Sequence, residues 1–261
     1  MTTADADDTS AGWGPRMARR KAAHDARVAS RTGEKGLLVN TLDAYEEYYL
    51  RRAQLWEIQS LTRTRPVAGD EKLGEQFQEM AARLTNLSGL DQATAASSAK
   101  KSGSRSHAAS RPLLPSCVTP DWKPAIHRMR LRIQKERTPV GQDDLAIKTG
   151  RGGLMDAEFV AQALCLAHGW RDANTLSALE HARDTGALPD ADKLIIHYRQ
   201  LRRVEGILRR WSYEGETVLP DDAPAYYRVS VRCGFAEPED FRKALAQWRG
   251  AIREVYDKVF K

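Results

Sequence analysis

Thr149-Gly150-Arg151-Gly152-Gly153 stands between Lys148 and an apolar run that begins at Leu154, and two carboxylates, Asp156 and Glu158, follow at once. Glycines beside cationic side chains suggest a phosphate cradle. The free N–H groups and partial positive charge of a helix start suit an anion, and Lys148 and Arg151 are its possible contacts. The spacing argues for less. No Gly-Lys-Ser/Thr follows, so this is not a P-loop; it is not a Gly-x-Gly-x-x-Gly either, and no clear strand precedes it. Asp156 in a first turn favours the helix dipole for purely structural reasons. Asp156 and Glu158, two residues apart on a helix, point to nearly opposite sides, and they cannot hold one metal ion without distortion. The stretch reads first as a helix start and second as a site, with no metal site expected.

Other chemistry is sparse. The six histidines, His24, His107, His127, His168, His181 and His197, form no HExxH and no zinc spacing with a cysteine. No Gly-x-Ser-x-Gly nucleophile motif occurs. Cys117, Cys165 and Cys233 are odd in number and far apart, which fits free thiols in a reducing compartment. Trp56, Trp211 and Trp248 fall on apolar faces and are expected in the core. A second polar cluster, Trp56, Glu57, Gln59, Arg63 and Arg65, crowds one helix end beside a buried stripe. It reads equally as a solvated face and as a contact with another domain.

The elements that must position these residues are helical. Leu42, Tyr45, Tyr49, Ala53, Trp56 and Ser60 recur at helical spacing, and Pro66 with Val-Ala-Gly-Asp closes that run. Asp70 caps the next helix, with Leu73, Phe77, Met80 and Leu84 as its stripe. Further helices are expected over about 124–137, from the glycine stretch to His168-Gly169, over 174–185 with Gly186 as stop, from Pro189 past Trp211, over 223–233 and from Glu237 onward. The last carries Phe241, Leu245, Trp248, Ile252, Val255 and Val259 on one side. Gly36–Asn40 is the one strand candidate, and a lone strand makes no sheet. Residues 1–30 read as a disordered tail and 87–118 as a disordered basic linker. The fold expected is mainly α, an antiparallel helical bundle over 119–261 with one orphan edge strand.

The net charge of +6 permits an acidic partner and requires none. The first ten residues, MTTADADDTS, lack the apolar core of a signal peptide, and no run approaches the ~20 apolar residues of a membrane span. A soluble cytoplasmic protein is expected.

Two stretches resemble one family. RTGEKGLLVNTLDAYEEYYLRRAQLWEIQSLTRTRPVAGD (Arg31 to Asp70) is similar to the segment that closes the nucleotidyltransferase domain of glutamine synthetase adenylyltransferases and enters the helices after it. IKTGRGGLMDAEFVAQALCLAHG (Ile147 to Gly169) resembles that family's Gly-Gly-hydrophobic-x-Asp-x-Glu-Phe segment, here Gly152, Gly153, Asp156, Glu158 and Phe159. The order agrees, as does the later LRRVEGILRR. The resemblance covers about 31–84 and 119–261, with 31–86 as the tail of a nucleotidyltransferase-like domain and its connecting helices.

The resemblance implies transfer of AMP from ATP to a tyrosine of glutamine synthetase, or its removal, under a PII-type signalling protein. It also implies Mg²⁺ held by a Gly-Ser-x-Asp-x-Asp element. The only Gly-Ser here, Gly103-Ser104, precedes Arg105-Ser106-His107 with no carboxylate nearby. A truncated, catalytically incomplete form is therefore expected, which acts as a binding or regulatory module beside a separate catalytic half. The rival readings are a non-enzymatic basic module that binds nucleic acid through Lys100 to Arg137, and a relic reading frame that folds poorly.

Overall fold

In the computed structural model of the chain the described residues are 40–90, 114–212 and 217–261, with main chain only at 211 and 212. The expected tail 1–30, the strand residues Gly36–Val39, the Lys100–Arg111 cluster and the side chain of Trp211 lie outside them. The described residues form nine helices: α1 (Leu42–Arg51), α2 (Leu55–Leu61), α3 (Glu71–Thr85), α4 (Trp122–Arg137), α5 (Leu154–His168), α6 (Thr175–Asp184), α7 (Ala191–Ser212), α8 (Ala223–Arg232) and α9 (Pro238–Phe260). Extended pairing among them is one isolated antiparallel bridge, Ala146 to Val218.

The helix starts follow local chemistry. Thr41, Asp70, Asn174 and Asp222 each accept a main-chain N–H from the first turn they precede. α5 ends at Gly169, whose φ of 68° is the left-handed cap that glycine tolerates. A Cβ there would lie 2.7 Å from the Asn86 side chain, and the Leu87 N–H bonds the Leu166 carbonyl at 2.9 Å. The chain leaving α3 is thus hooked onto the end of α5, and Leu87 and Leu90 are buried.

α5 is the centre of the bundle. Eleven of its fifteen residues are buried, on every side of the helix. A helix apolar all round belongs inside a protein. α4, α6, α7 and α9 pack around it, α2 touches it, and α9 also runs along α7. Leu154, Val160, Leu166, Leu179, Leu194, Leu201, Ile252 and Val255 are all fully buried.

Two stripes depart from expectation. The run from Leu42 to Ser60 is two helices. Arg52 and Ala53 both donate to the Tyr48 carbonyl, at 2.8 and 3.0 Å, and Gln54 turns to extended backbone. Glu57 then returns its carboxylate to the Gln54 N–H at 2.7 Å, closing a capping box that starts a new helix. This phase break turns Trp56 outward, 51% exposed, so it is not a core residue. In α3 the stripe is buried only at Met80 and Leu84. Leu73 is 53% exposed, because the first turn of α3 faces an open groove beside Tyr45 and Phe77. Trp248 is half-buried against Phe235.

A shared core of this kind should unfold cooperatively, giving a sharp melt by circular dichroism where a poorly folded relic would give a broad one. Leu179→Ala, at a site with no exposure, should lower stability by about 3 kcal/mol in urea unfolding.

Candidate functional site

The glycine stretch is built around one buried carboxylate. Asp156, in the first turn of α5, has no exposure. Its Oδ1 lies 2.7 Å from Nε of Arg130 on α4, and its Oδ2 lies 3.2 Å from Nη1 of Arg253 on α9. The same Oδ2 accepts the Gly152 N–H at 2.8 Å. Arg253 also pairs with Asp257 at 3.0 Å, so two arginines face two aspartates and the buried charge is balanced. The Arg253 guanidinium lies 4.6 Å over the Tyr256 ring, and the Tyr256 hydroxyl is 3.0 Å from His127 Nδ1. Burial and the neighbouring Asp156 hold the Tyr256 phenol above its ordinary range.

Arginines also bind the loop's carbonyls. Arg130 Nη2 donates to the Thr149 and Gly150 carbonyls, both at 3.0 Å. Arg249, almost fully buried on α9, donates to the carbonyls of Asp143, Asp144 and Arg151 at 2.6 to 3.0 Å. Burial pulls the Arg249 guanidinium below its ordinary value, and Asp143, Asp144 and Asp156 oppose that. The loop must therefore lie close against α9. Gly152 has φ 70°, and a Cβ there would sit 2.1 Å from the Arg249 carbonyl oxygen.

The N–H groups from Gly150 to Asp156 are used internally. Those of Gly150, Gly153, Leu154, Met155 and Asp156 go to main-chain carbonyls, that of Arg151 to Asp143 Oδ1, and that of Gly152 to Asp156. A phosphate would gain nothing from these seven N–H groups. Only the side chains of Lys148 and Arg151 remain for an anion. Lys148 lies 3.9 Å from Glu205, a buried carboxylate that also pairs with Arg202 and Arg209.

Glu158 faces away from Asp156, as helical spacing requires. It accepts from the Tyr198 hydroxyl at 3.4 Å and pairs with Arg63 at 3.6 Å. Arg63 follows α2, so the two separated motifs meet here. Gln59 Nε2 donates to Gln162 Oε1 at 2.6 Å, a second link between α2 and α5. Glu57 is spent on structure, accepting from Tyr48 at 2.5 Å and from its own cap. Trp56, Gln59, Arg63 and Phe159 line one groove of about 550 Å³ between α2, α4 and α5.

Asp156 and Glu158 do not suit Mg²⁺. Each already faces arginine, Asp156 without solvent access, and among the described residues no group of three or more His, Cys, Asp or Glu could hold a metal ion. The basic stretch running up to Arg137 is also less available than its composition suggests, since Arg130 is buried and Arg132 pairs with Glu136 at 2.8 Å. Arg130, Arg249 and Arg253 are absent from the sequence reading. The available signal was an arginine at core spacing: Arg130 stands four residues after Ile126, and Arg249 and Arg253 interrupt the face from Leu245 to Tyr256.

Two family profiles match the chain, one for glutamate-ammonia ligase adenylyltransferase over residues 27–80 and one for GlnD PII-uridylyltransferase over residues 125–260. The bifunctional glutamine synthetase adenylyltransferase/adenylyl-removing enzyme of Mycolicibacterium smegmatis is 31% identical over 231 residues, 85% of this chain and 20% of that protein. Its counterpart in Streptomyces coelicolor is 29% identical over 286 aligned positions, 99% of this chain and 25% of that protein. That of Pseudomonas putida is 30% identical over 227 residues, 84% and 20%. The chain spans about a fifth to a quarter of the length of these relatives.

Asp156→Asn leaves two buried guanidiniums short of a counter-charge and should cost about 3–5 kcal/mol in chemical unfolding. Gly152→Ala should lower the melting temperature more than Gly186→Ala. Both glycines have φ 70°, but a Cβ at Gly186 meets nothing within 4 Å, so the difference isolates the clash with α9. Burial, then Arg253 and Lys261, lower the His127 pKa. The folded state therefore binds that proton less tightly than the unfolded chain, and unfolding takes up a proton below about pH 6.5. Stability should fall as pH falls through that region, and His127→Gln should flatten the slope of Tm against pH.

Proposed function

Because the chain belongs to the glutamine synthetase adenylyltransferase family, we propose that it works as a helical, partner-binding part of that machinery and does not transfer AMP by itself. The observation that carries this reading is the junction of the two motif stretches, Arg63 with Glu158 and Gln59 with Gln162. The segment that resembles the exit from a nucleotidyltransferase domain is bolted to the central helix of the bundle. Such a joint fixes α2 and the turn after it against the central helix.

Glutamine synthetase is the partner proposed first, since the relatives' names state that they act on it. A PII-type signalling protein and a separate catalytic half are further partners on the same reading, and the cytoplasm is the compartment. ATP and Mg²⁺ are implied by the family. In this chain the carboxylates of the motif are committed to arginines, so no step of AMP transfer is routed through them. Packing Asp156 between Arg130 and Arg253 is a structural use of a motif residue.

The test mixes the purified chain with glutamine synthetase and Mg-ATP, reads the synthetase by intact mass and measures complex formation by sedimentation. The expected result is a complex without an AMP adduct. An adduct would overturn the inactive reading, and no complex with a folded chain would overturn the partner.

A further inference from the structure

The groove between α2, α4 and α5 has an apolar floor and a cationic rim. Met129 and Ile133 of α4 and Phe159 of α5 make the floor, and the half-exposed Trp56 forms one wall. Arg63, Arg132 and Arg137 stand around it with the single carboxylate of Glu136. Two of these guanidiniums are partly neutralised, Arg132 by Glu136 at 2.8 Å and Arg63 by Glu158 at 3.6 Å. Arg137 has no ion-pair partner among the described residues. Gln59, only 2% exposed, also lines the groove. Its Nε2 is held by Gln162, while its Oε1 accepts no hydrogen bond among the described residues.

We propose that this groove docks a short acidic segment of a partner protein with apolar residues between its carboxylates. Its carboxylates meet Arg132 and Arg137, and an apolar side chain lies over Met129 and Ile133 against Trp56. A peptide supplies both kinds of contact at once. It can also leave the position opposite Glu136 uncharged, whereas a nucleic acid strand carries a phosphate at every nucleotide. The volume of about 550 Å³ suits a few side chains rather than a domain. The inference rests on the reading of this chain as a partner-binding module and names the chemistry of that binding.

The probe is a fluorescein-labelled synthetic octapeptide alternating glutamate and leucine, titrated with the full chain and followed by fluorescence anisotropy. Saturable binding is expected, weakened about tenfold or more by Arg132→Glu with Arg137→Glu. Trp56→Ala should weaken it too, with melting temperatures kept near that of the unaltered chain. A peptide with lysine in place of glutamate should not bind. Absence of binding by the folded chain would overturn the proposal. So would equal binding by the variants, or displacement of the peptide by a single-stranded oligonucleotide or by ATP at lower concentration. Because glutamine synthetase is absent from this assay, a failed peptide titration alongside an intact synthetase complex would sink the groove and leave the partner reading standing.

Discussion

A carboxylate with no access to water cannot stay charged alone, and the bundle is arranged around that constraint at Asp156. The aspartate belongs to α5, and its counter-charges arrive from α4 and α9. The apolar faces supply most of the burial, but they tolerate sliding. A carboxylate that must meet Nε of one arginine and Nη1 of another does not. Two ion pairs on one carboxylate thus tie α5 to α4 and α9, and the loop before α5 donates to the same carboxylate. Arg249 extends the constraint by binding the carbonyls of that loop, which keeps α9 within reach of a glycine that has no room for a side chain.

The same logic runs through the second motif at lower cost. Arg63 and Glu158 meet where solvent still reaches the arginine, and Gln59 and Gln162 pair as neutral amides. This joint ties the polypeptide before the bundle to its central helix without a large desolvation penalty. The adjoining groove lies where α2 and α4, which also touch each other, meet α5.

Much of the fold was legible. The cap at Asp70, the stops at Gly169 and Gly186, and the face from Phe241 to Val255 are local signals, and local signals survive in a single sequence. The α1–α2 break was hidden because residues 42–60 keep helical spacing through Arg52 to Gln54, while the capping box at Gln54 and Glu57 competes with it. The site was half legible. The opposed directions of Asp156 and Glu158 follow from helical geometry alone. Their partners do not, because Arg130 and Arg253 are remote in sequence and composition marks arginine as a surface residue. The phosphate-cradle pattern of glycines and cations has a different cause here: the cations that matter come from elsewhere and take carbonyls, and Gly152 makes room for a neighbouring backbone.

Arg249 bonds the loop carbonyls across 98 to 106 residues of chain. The motif loop is therefore not completed by its sequence neighbours alone. Arg130 reaches the Thr149 and Gly150 carbonyls and Asp156 from the helix just before the loop, whereas the Asp143, Asp144 and Arg151 carbonyls lack their arginine until α9 lies back across α5 and α7. Assembly of the most recognisable segment of the chain is thus a late event, timed by a helix that carries none of the recognisable motif.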